Sequence, residues 1–262
     1  MRYTFYLDIF SDFGRHPVKH PVYLIIKKIV SLVTPVYKTE GTENLPEGPA
    51  VYVGNHSQAF GPIAAELYFP REHCTWCVSD MMEKDKVADY AYRDFWSHKP
   101  TFIRPVFRLF SYMLPKVSEI IFTNAETIPV YRDTRIIKTF QLSCDKLNTG
   151  ASIVIFPEEY AEYNNIVHSF QRGFVHVAGY YYRHTGKNIP FLPFYVCPEL
   201  GKLVFGEQVL YSPENDKDAE AERICTYLQD SISELAYKMP RHRVVPYPNV
   251  SKKNYPLNER IQ

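Results

Sequence analysis

His56 is the residue of this sequence whose surroundings most suggest chemistry. It follows the apolar run 50–53, which predicts a buried strand, and it precedes the apolar run 63–69, which predicts a helix. Gly61 and Pro62 suit the N-cap and the first position of that helix. The histidine is therefore predicted at the carboxyl end of a strand, the edge at which open α/β sheets bind ligands. A histidine in such a turn can also be a satisfied polar residue, and position alone leaves both interpretations open.

Two further predicted strands end in polar residues. The strand 127–131 is followed by Arg132, and the strand 151–156 is followed, after a proline, by Glu158 and Glu159. The second strand is a continuous apolar run, which is typical of a parallel sheet buried on both faces. Because parallel strands bring their carboxyl ends to one edge, we expect these side chains to converge with the imidazole.

These residue types fit transfer of a group to a hydroxyl on a phosphorylated acceptor. An imidazole can take the hydroxyl proton as a general base near neutral pH. A guanidinium holds phosphate oxygens in a planar fork, and holding the acceptor in place supplies much of the rate. Taken singly, Arg132 also fits a surface ion-pair residue, and Phe156-Pro157-Glu158 fits a strand that ends in a turn.

The composition excludes some functional classes. The chain has 262 residues, enough to bury a full core, and its 30 Lys and Arg almost balance its 29 Asp and Glu. A dedicated nucleic-acid binder normally carries an excess of positive charge, so we expect no nucleic-acid partner. Aromatic residues make up 15% of the chain, and amphipathic rings suit a boundary between water and lipid.

The cysteines predict neither a disulfide framework nor a metal site. There are five of them, an odd number. Cys74 and Cys77 form a C-x-x-C pair, but a zinc site would need a second pair at similar spacing. The pair lies in a strand-like run, so we expect structural thiols in a reducing cytoplasm and no bound metal.

Strands alternate with helices along the chain, which predicts an α/β fold with a mostly parallel sheet flanked by helices. We expect residues 1–36 to form an N-terminal amphipathic helical extension at a membrane interface. Residues 37–240 should form the α/β domain, in which 202–205 and 207–210 predict an edge hairpin. Residues 241–262 are predicted to be a polar, peripheral C-terminal tail.

The membrane extension rests on two amphipathic stretches. Residues 22–33 are apolar but interrupted by Lys27 and Lys28, and a spanning helix needs roughly twenty apolar residues. This stretch fits either a helix packed on the core or a helix lying in the membrane plane, with its lysines at anionic headgroups. Residues 101–113 are basic and aromatic and leave the same two alternatives. The N-terminus lacks the pattern of a signal peptide.

Five segments in order resemble the glycerophospholipid acyltransferase family, of the lysophosphatidic acid acyltransferase type, over roughly residues 40–240. The first resembles the family's N-H-x4-D box, and the second and third resemble its acceptor-phosphate strand and its F-P-E-G turn. The remaining two resemble the later blocks with their prolines. In this sequence they read Asn55-His56 with Gly61, Ile128-Pro129-Val130-Tyr131-Arg132, Phe156-Pro157-Glu158-Glu159, Phe170-Gln171-Arg172-Gly173, and Ile189-Pro190-Phe191-Leu192-Pro193.

The resemblance implies transfer of a fatty acyl group from an acyl thioester, either acyl-CoA or acyl carrier protein, to a hydroxyl. The acceptor would be a lysophospholipid or a glycerol-phosphate-like molecule. The protein would act in the cytoplasm, peripheral or monotopic at the membrane, without metal or cofactor beyond its co-substrate. His56 would be the general base, and the residues implied to bind substrate are Asn55, Arg132, Phe156, Pro157, Glu158, Glu159 and Arg172.

Two positions depart from the family pattern. Gly61 replaces the Asp that fixes the imidazole tautomer, and in the serine-protease triad loss of the corresponding charge costs about four orders of magnitude in rate. Asp80, after the next strand, is our candidate catalytic replacement, although a carboxylate there also fits a helix cap. An Asp at position 61 would then be expected to raise activity. Glu159 replaces a glycine and adds negative charge where an anionic acceptor would bind.

The sequence therefore leaves three functions open. The first is an acyltransferase, and the second is a catalytically impaired relative that binds acyl chains or lysolipids without turnover. The third is a thioesterase or other hydrolase, in which water would take the place of the acceptor.

Overall fold

The computed structural model describes residues 19–93, 101–112 and 114–260. Residues 1–18 of the expected N-terminal helical extension lie outside them. The strands of the described residues are β1 (Lys38–Glu40), β2 (Val51–Gly54), β3 (His73–Val78), β4 (Ile128–Val130), β5 (Ser152–Ile155), β6 (Glu158–Tyr163), β7 (His168–Phe170), β8 (Pro190–Cys197), β9 (Lys202–Phe205) and β10 (Val209–Leu210). Their helices are α1 (Pro21–Val33), α2 (Phe60–Tyr68), α3 (Val87–Ala91), α4 (Arg104–Ser111), α5 (Leu114–Asn124), α6 (Ile136–Asn148), α7 (His176–Thr185) and α8 (Lys217–Tyr237).

The main sheet has the strand order β1-β9-β8-β2-β5-β3-β4. The run from β8 through β2, β5 and β3 to β4 is parallel throughout. β9 runs antiparallel to β8 and parallel to β1, and β6 and β7 form a separate antiparallel hairpin. Helices flank this sheet, so the predicted α/β fold with a mostly parallel sheet is confirmed.

The expected edge hairpin is wrong, because β9 and β10 do not pair with each other. Both pair with the long strand β8. Its carboxyl half, Phe194 to Cys197, pairs with β9, while its amino half, Pro190 and Phe191, pairs with β10. An eight-residue strand is long enough to take two short partners in succession.

The central strands explain the continuous apolar runs of the sequence. Every residue of β2 and β5 is buried, because layers of side chains cover both faces of the sheet. Successive side chains of a strand point to opposite faces. Val51 and Val53 accordingly lie in the larger apolar cluster, while Tyr52, between them, lies in the smaller cluster on the other face.

Helix α1 directs its apolar side chains outward, which excludes the core-packed alternative. Tyr23 faces the domain and donates its hydroxyl to the Glu66 carboxylate. Lys27 Nζ pairs with Glu66 Oε1 at 2.6 Å. The expected contact of Lys27 with a lipid headgroup is therefore replaced by an ion pair within the protein. The exposed apolar side chains of this helix are Val22, Leu24, Ile25, Ile29, Leu32 and Val33. In the described residues no helix is both long enough and apolar enough to cross a bilayer.

Residues 241–260, which we name the C-terminal segment, are packed into the domain. His242, Val244 and Asn258 are buried. The segment folds back on itself, with the Val244 amide donating to the carbonyl of Pro256 at 2.8 Å and the His242 amide donating to Asn258 Oδ1 at 2.9 Å. The expectation of a peripheral tail is therefore wrong for these residues. The expectation relied on the polar composition of the segment, which gave no sign that a few of its side chains are buried.

Candidate active site

The turn that carries His56 is tightly bent. It follows β2, in the middle of the sheet, and Ser57 and Gln58 have φ values of 46° and 54°. Backbone amides close the turn, with Phe60 donating to the Ser57 carbonyl and Gly61 to the His56 carbonyl, both at 3.0 Å. Left-handed residues other than glycine cost about 1–3 kcal/mol each and persist only where the surroundings hold them, often at functional sites.

The same turn orients the imidazole. Nδ1 of His56 is hydrogen bonded to the backbone carbonyl of Gln58. A carbonyl oxygen can only accept, so Nδ1 carries the proton, and Nε2 of the neutral ring is an acceptor with no hydrogen-bond partner among the described residues. The ring lies edge-on to Phe156, with centroids 5.6 Å apart, and to Tyr247, at 5.2 Å. Burial lowers the pKa of His56, which keeps the ring neutral at neutral pH.

Glu158 fixes the backbone of this turn to the hairpin. Its Oε1 accepts the His56 amide at 2.6 Å, and its Oε2 accepts the His168 amide at 2.9 Å. The side chain is buried, and burial raises the pKa of Glu158 to about 7, against the two amide hydrogen bonds, which lower it. Both oxygens are occupied within the protein, so the structure gives Glu158 a positioning role where the resemblance implied contact with the acceptor.

Asn55 has a similar role. It is 1% exposed, and its Oδ1 accepts the Val196 amide at 2.7 Å. Its Nδ2 donates to the Val196 carbonyl at 3.1 Å and to Ser57 Oγ at 2.6 Å. These bonds tie the end of β2 to β8 and brace the turn. The expected contact of Asn55 with a substrate is therefore corrected to a structural contact, because the side chain is enclosed.

Asp80 does not orient the imidazole. It lies in the short 3-10 helix after β3, and Lys86 Nζ donates to its Oδ1 at 3.3 Å. β5 lies between β2 and β3, so the two strands are separated by two spacings, roughly 10 Å. The ring nitrogen that Asp80 was expected to hold is already bonded to Gln58. The proposed replacement of the family carboxylate by Asp80 is thus wrong.

Arg132 lies on the predicted edge of the sheet but at a distance from His56. It is exposed and follows β4, three strands from β2, which corresponds to roughly 14 Å. Within the described residues Arg132 makes no ion pair. Its guanidinium is therefore available to an anionic group of a ligand, but not to the atoms next to the imidazole.

The remaining predicted residues separate into two groups. Phe156 lies beside the imidazole and also packs edge-on against Phe194, and the Pro157 carbonyl accepts the Gln171 amide at 2.9 Å. In contrast, the side chains of Glu159 and Arg172 reach toward solvent. Glu159 is partly exposed on β6, where a turn was expected, and Arg172 pairs with Glu222 of α8 at 3.3 Å.

Two residues at the site escaped the sequence analysis. Gln58 orients the ring through its backbone carbonyl. The sequence could not predict this contact, because every residue has a backbone carbonyl whatever its side chain. Tyr247 lies against the His56 ring and against Tyr160, with ring centroids 4.8 Å apart in the second pair. The one available signal was an aromatic residue in the proline-rich run 246–248, which we had assigned to a peripheral tail.

The described residues contain no group of three or more His, Cys, Asp or Glu side chains arranged to hold a metal ion. Burial raises the pKa of the Cys74 and Cys77 thiols to about 12. These thiols are therefore protonated at neutral pH, which suits structural residues.

Comparison with known proteins identifies the family. The sequence model of the acyltransferase family matches residues 36–197, a range that includes the turn at His56, the strand before Arg132 and the buried Glu158. The chain belongs to the acyltransferase family. This confirms the resemblance that the five sequence segments indicated.

One solved structure of similar fold is that of the 1-acyl-sn-glycerophosphate (LPA) acyltransferase PlsC from Thermotoga maritima. The two share 15% sequence identity, with a TM-score of 0.51, and the match covers 90% of this chain and 88% of the other. At this identity the likeness concerns the fold. A search of curated proteins finds no match.

Proposed function

We propose that this acyltransferase moves a fatty acyl group from an acyl thioester, either acyl-CoA or acyl carrier protein, to an acceptor hydroxyl. The acceptor is a lysophospholipid or a glycerol-phosphate-like molecule, and His56 is the general base. The observation that carries the proposal is the hydrogen bond from His56 Nδ1 to the Gln58 carbonyl at the carboxyl end of a central strand. It leaves Nε2 as an acceptor at the edge where α/β sheets bind ligands.

In the proposed reaction, Nε2 takes the proton from the acceptor hydroxyl as its oxygen attacks the thioester carbonyl carbon. The new C–O bond forms, the C–S bond breaks, and the departing thiolate takes the proton back from the imidazolium. The lowered pKa of His56 keeps the base unprotonated at the start of each cycle. Arg132, exposed farther along the same edge, would hold a phosphate of the acceptor at a distance from the reacting hydroxyl.

We further propose that helices α1 and α4 dock on an anionic membrane surface. Both helices pack against α5. α4 exposes Val106, Leu109 and Phe110, much as α1 exposes its outer apolar face. α4 contains two basic residues and α1 contributes Lys28, since Lys27 is paired with Glu66, and neither helix contains an acidic residue. The charge of this surface therefore complements anionic headgroups. An apolar face with flanking basic residues is typical of a helix that lies in the membrane plane.

The test of acyl transfer uses a labelled acyl thioester and a lysophospholipid in anionic vesicles. We expect the wild type to form the diacylated product and His56→Ala to form none above background. His184→Ala is the matched control, because His184 is exposed at the end of α7, where its ring is stacked on Tyr180. An equal rate for the wild type and His56→Ala would exclude the proposed base.

A second candidate is a relative that binds acyl chains or lysolipids without turnover, and the glycine at position 61 favours it. Binding of labelled acyl thioester without product, in the wild type and in His56→Ala alike, would support this candidate. Release of free fatty acid without an acceptor would instead indicate a hydrolase.

A further inference from the structure

We infer that the C-terminal segment belongs to the catalytic apparatus: it holds Gln58 so that the Gln58 carbonyl, in place of a carboxylate at position 61, orients His56. This inference rests on the proposed role of His56 as a general base. Gln58 and the segment act through the imidazole, so they are positioning residues.

The first step is the type of acceptor that holds Nδ1. In the serine-protease triad, an amide side chain in place of the carboxylate lowers kcat by about four orders of magnitude because it favours the wrong tautomer. A side-chain amide can present its NH2 group to the ring, whereas a backbone carbonyl can only accept. The Gln58 carbonyl therefore excludes the wrong tautomer. What it lacks is the full negative charge that would stabilise the imidazolium.

The second step is that the turn leaves no room for the family carboxylate. A Cβ on Gly61 would lie 2.6 Å from the carbonyl oxygens of Asn55 and His56, and 2.9 Å from Cε1 of Phe156. Two of these neighbours are backbone atoms of the turn itself and cannot move independently of it. This crowding argues against the expectation that Asp at position 61 would raise activity. The glycine and the carbonyl contact belong to one arrangement of the turn.

The third step is what holds Gln58 in its left-handed conformation. Its Nε2 donates to the carbonyl of Pro248 at 3.2 Å, and its Oε1 accepts the hydroxyl of Tyr255 at 3.3 Å. Both partners lie in the C-terminal segment, which also places Tyr247 against the His56 ring. The segment thus holds both the residue that orients the ring and the ring itself. Its buried side chains anchor it to the domain.

The experiment compares Gln58→Ala and Tyr255→Phe with the wild-type full chain. Tyr227→Phe is the matched control. Tyr227 lies on α8, and its hydroxyl donates one hydrogen bond to the Glu207 carbonyl at 3.1 Å, so the variant also removes one hydroxyl hydrogen bond. Acyl transfer gives kcat and KM, thermal unfolding gives stability, and 15N spectra of histidine-labelled protein report the tautomer. The His56 signal is assigned by its absence from His56→Gln.

We expect the wild-type His56 signal to show the ring protonated at Nδ1, and both tautomers to appear in Gln58→Ala. If each anchoring bond contributes the usual amount, kcat falls about fivefold in Tyr255→Phe, which loses one bond, and about twenty-fivefold in Gln58→Ala, which loses both. KM for the thioester should change less than about twofold, since the anchors do not touch substrate. Tyr227→Phe should match the wild type in kcat and tautomer.

If the His56 tautomer is unchanged in Gln58→Ala, the inference is overturned. This holds even if kcat and thermal stability both fall, since a structural defect alone would lower both of them. Equal losses of kcat in Tyr255→Phe and Tyr227→Phe also overturn it. If the wild type transfers no acyl group, the proposed function fails, while the 15N spectra still decide whether the segment orients the ring.

Discussion

Glu158→Gln should abolish a pH-dependent loss of stability. In the folded protein the carboxyl group is buried, and its pKa is raised from 4.5 to about 7. The unfolded chain therefore releases this proton at lower pH than the folded chain does. Between these two values the folded state binds the extra proton, so raising the pH through this window lowers the free energy of unfolding. The contribution of Glu158 is fully present below pH 4.5 and is lost above pH 7.

The magnitude follows from the two pKa values. One pKa unit corresponds to about 1.4 kcal/mol, so ionisation of Glu158 costs the folded state about 3 kcal/mol in all. Of this, about 2.5 kcal/mol falls between pH 5 and pH 8. Glutamine does not titrate, so Glu158→Gln should lack this decrease. Glutamine also places its NH2 group against one of the two backbone N–H groups that donate to the carboxylate, and the loss of that hydrogen bond destabilises the variant. This penalty is independent of pH, so it does not change the slope of the unfolding free energy against pH.

Urea unfolding at pH 5 and pH 8 measures the effect in wild type and variant. Glu220→Gln is the control, because Glu220 is also buried but Arg223 lowers its pKa to about 2. The contribution of Glu220 is lost only as the pH falls from 4.5 through about 2, so Glu220→Gln should lower stability with nearly the wild-type slope. If the pH dependence of Glu158→Gln superimposes on that of the wild type, Glu158 does not carry a raised pKa in the folded state.

Three further outcomes test the site and the surface. Gly61→Ala and Gly61→Asp should both lower acyl transfer at least about tenfold, since either Cβ meets two backbone oxygens at 2.6 Å; a gain in the Asp variant alone would contradict this. Leu32→Glu should weaken flotation with anionic vesicles about thirtyfold, because it removes about 2 kcal/mol of apolar burial. Leu210→Glu, an exposed leucine on β10, should float like the wild type, and equal loss in both would refute docking through α1. The acid limb of kcat/KM should have its midpoint below pH 6.5, because burial lowers the pKa of His56 and protonation removes the base; a midpoint above pH 6.5 would contradict that assignment.

Most of the fold could be read from the sequence because its signals are local. Buried strands such as β2 and β5 show as continuous apolar runs, and the helices between them show as amphipathic segments. The pairing of β9 and β10 could not be read in this way, because it depended on the length of β8, a third element. Strand β6 and the packing of the C-terminal segment were also missed.

The candidate site was only partly readable. Residue types in order placed His56, Arg132 and Glu158 on one edge of the sheet, and the family resemblance added Phe156. The family resemblance implied that Glu158 and Asn55 bind a substrate, and the sequence could not correct this, because a polar side chain after a strand looks alike whether it meets a ligand or a neighbouring strand. The deciding contacts are the amide of His56, which lies 102 residues along the chain from Glu158, and the amide of Val196, which lies 141 residues from Asn55.

The sequence by itself determined the α/β architecture, the family and the histidine at a strand end, because hydrophobic period and short motifs are properties of neighbouring residues. Tertiary structure alone decided how the histidine is held. That depends on the backbone angles of Gln58, on the space around Gly61, and on contacts between Gln58 and a segment 190 residues farther along the chain. Such contacts have no local signature, because a backbone carbonyl is present at every residue and only the fold selects which one meets the ring.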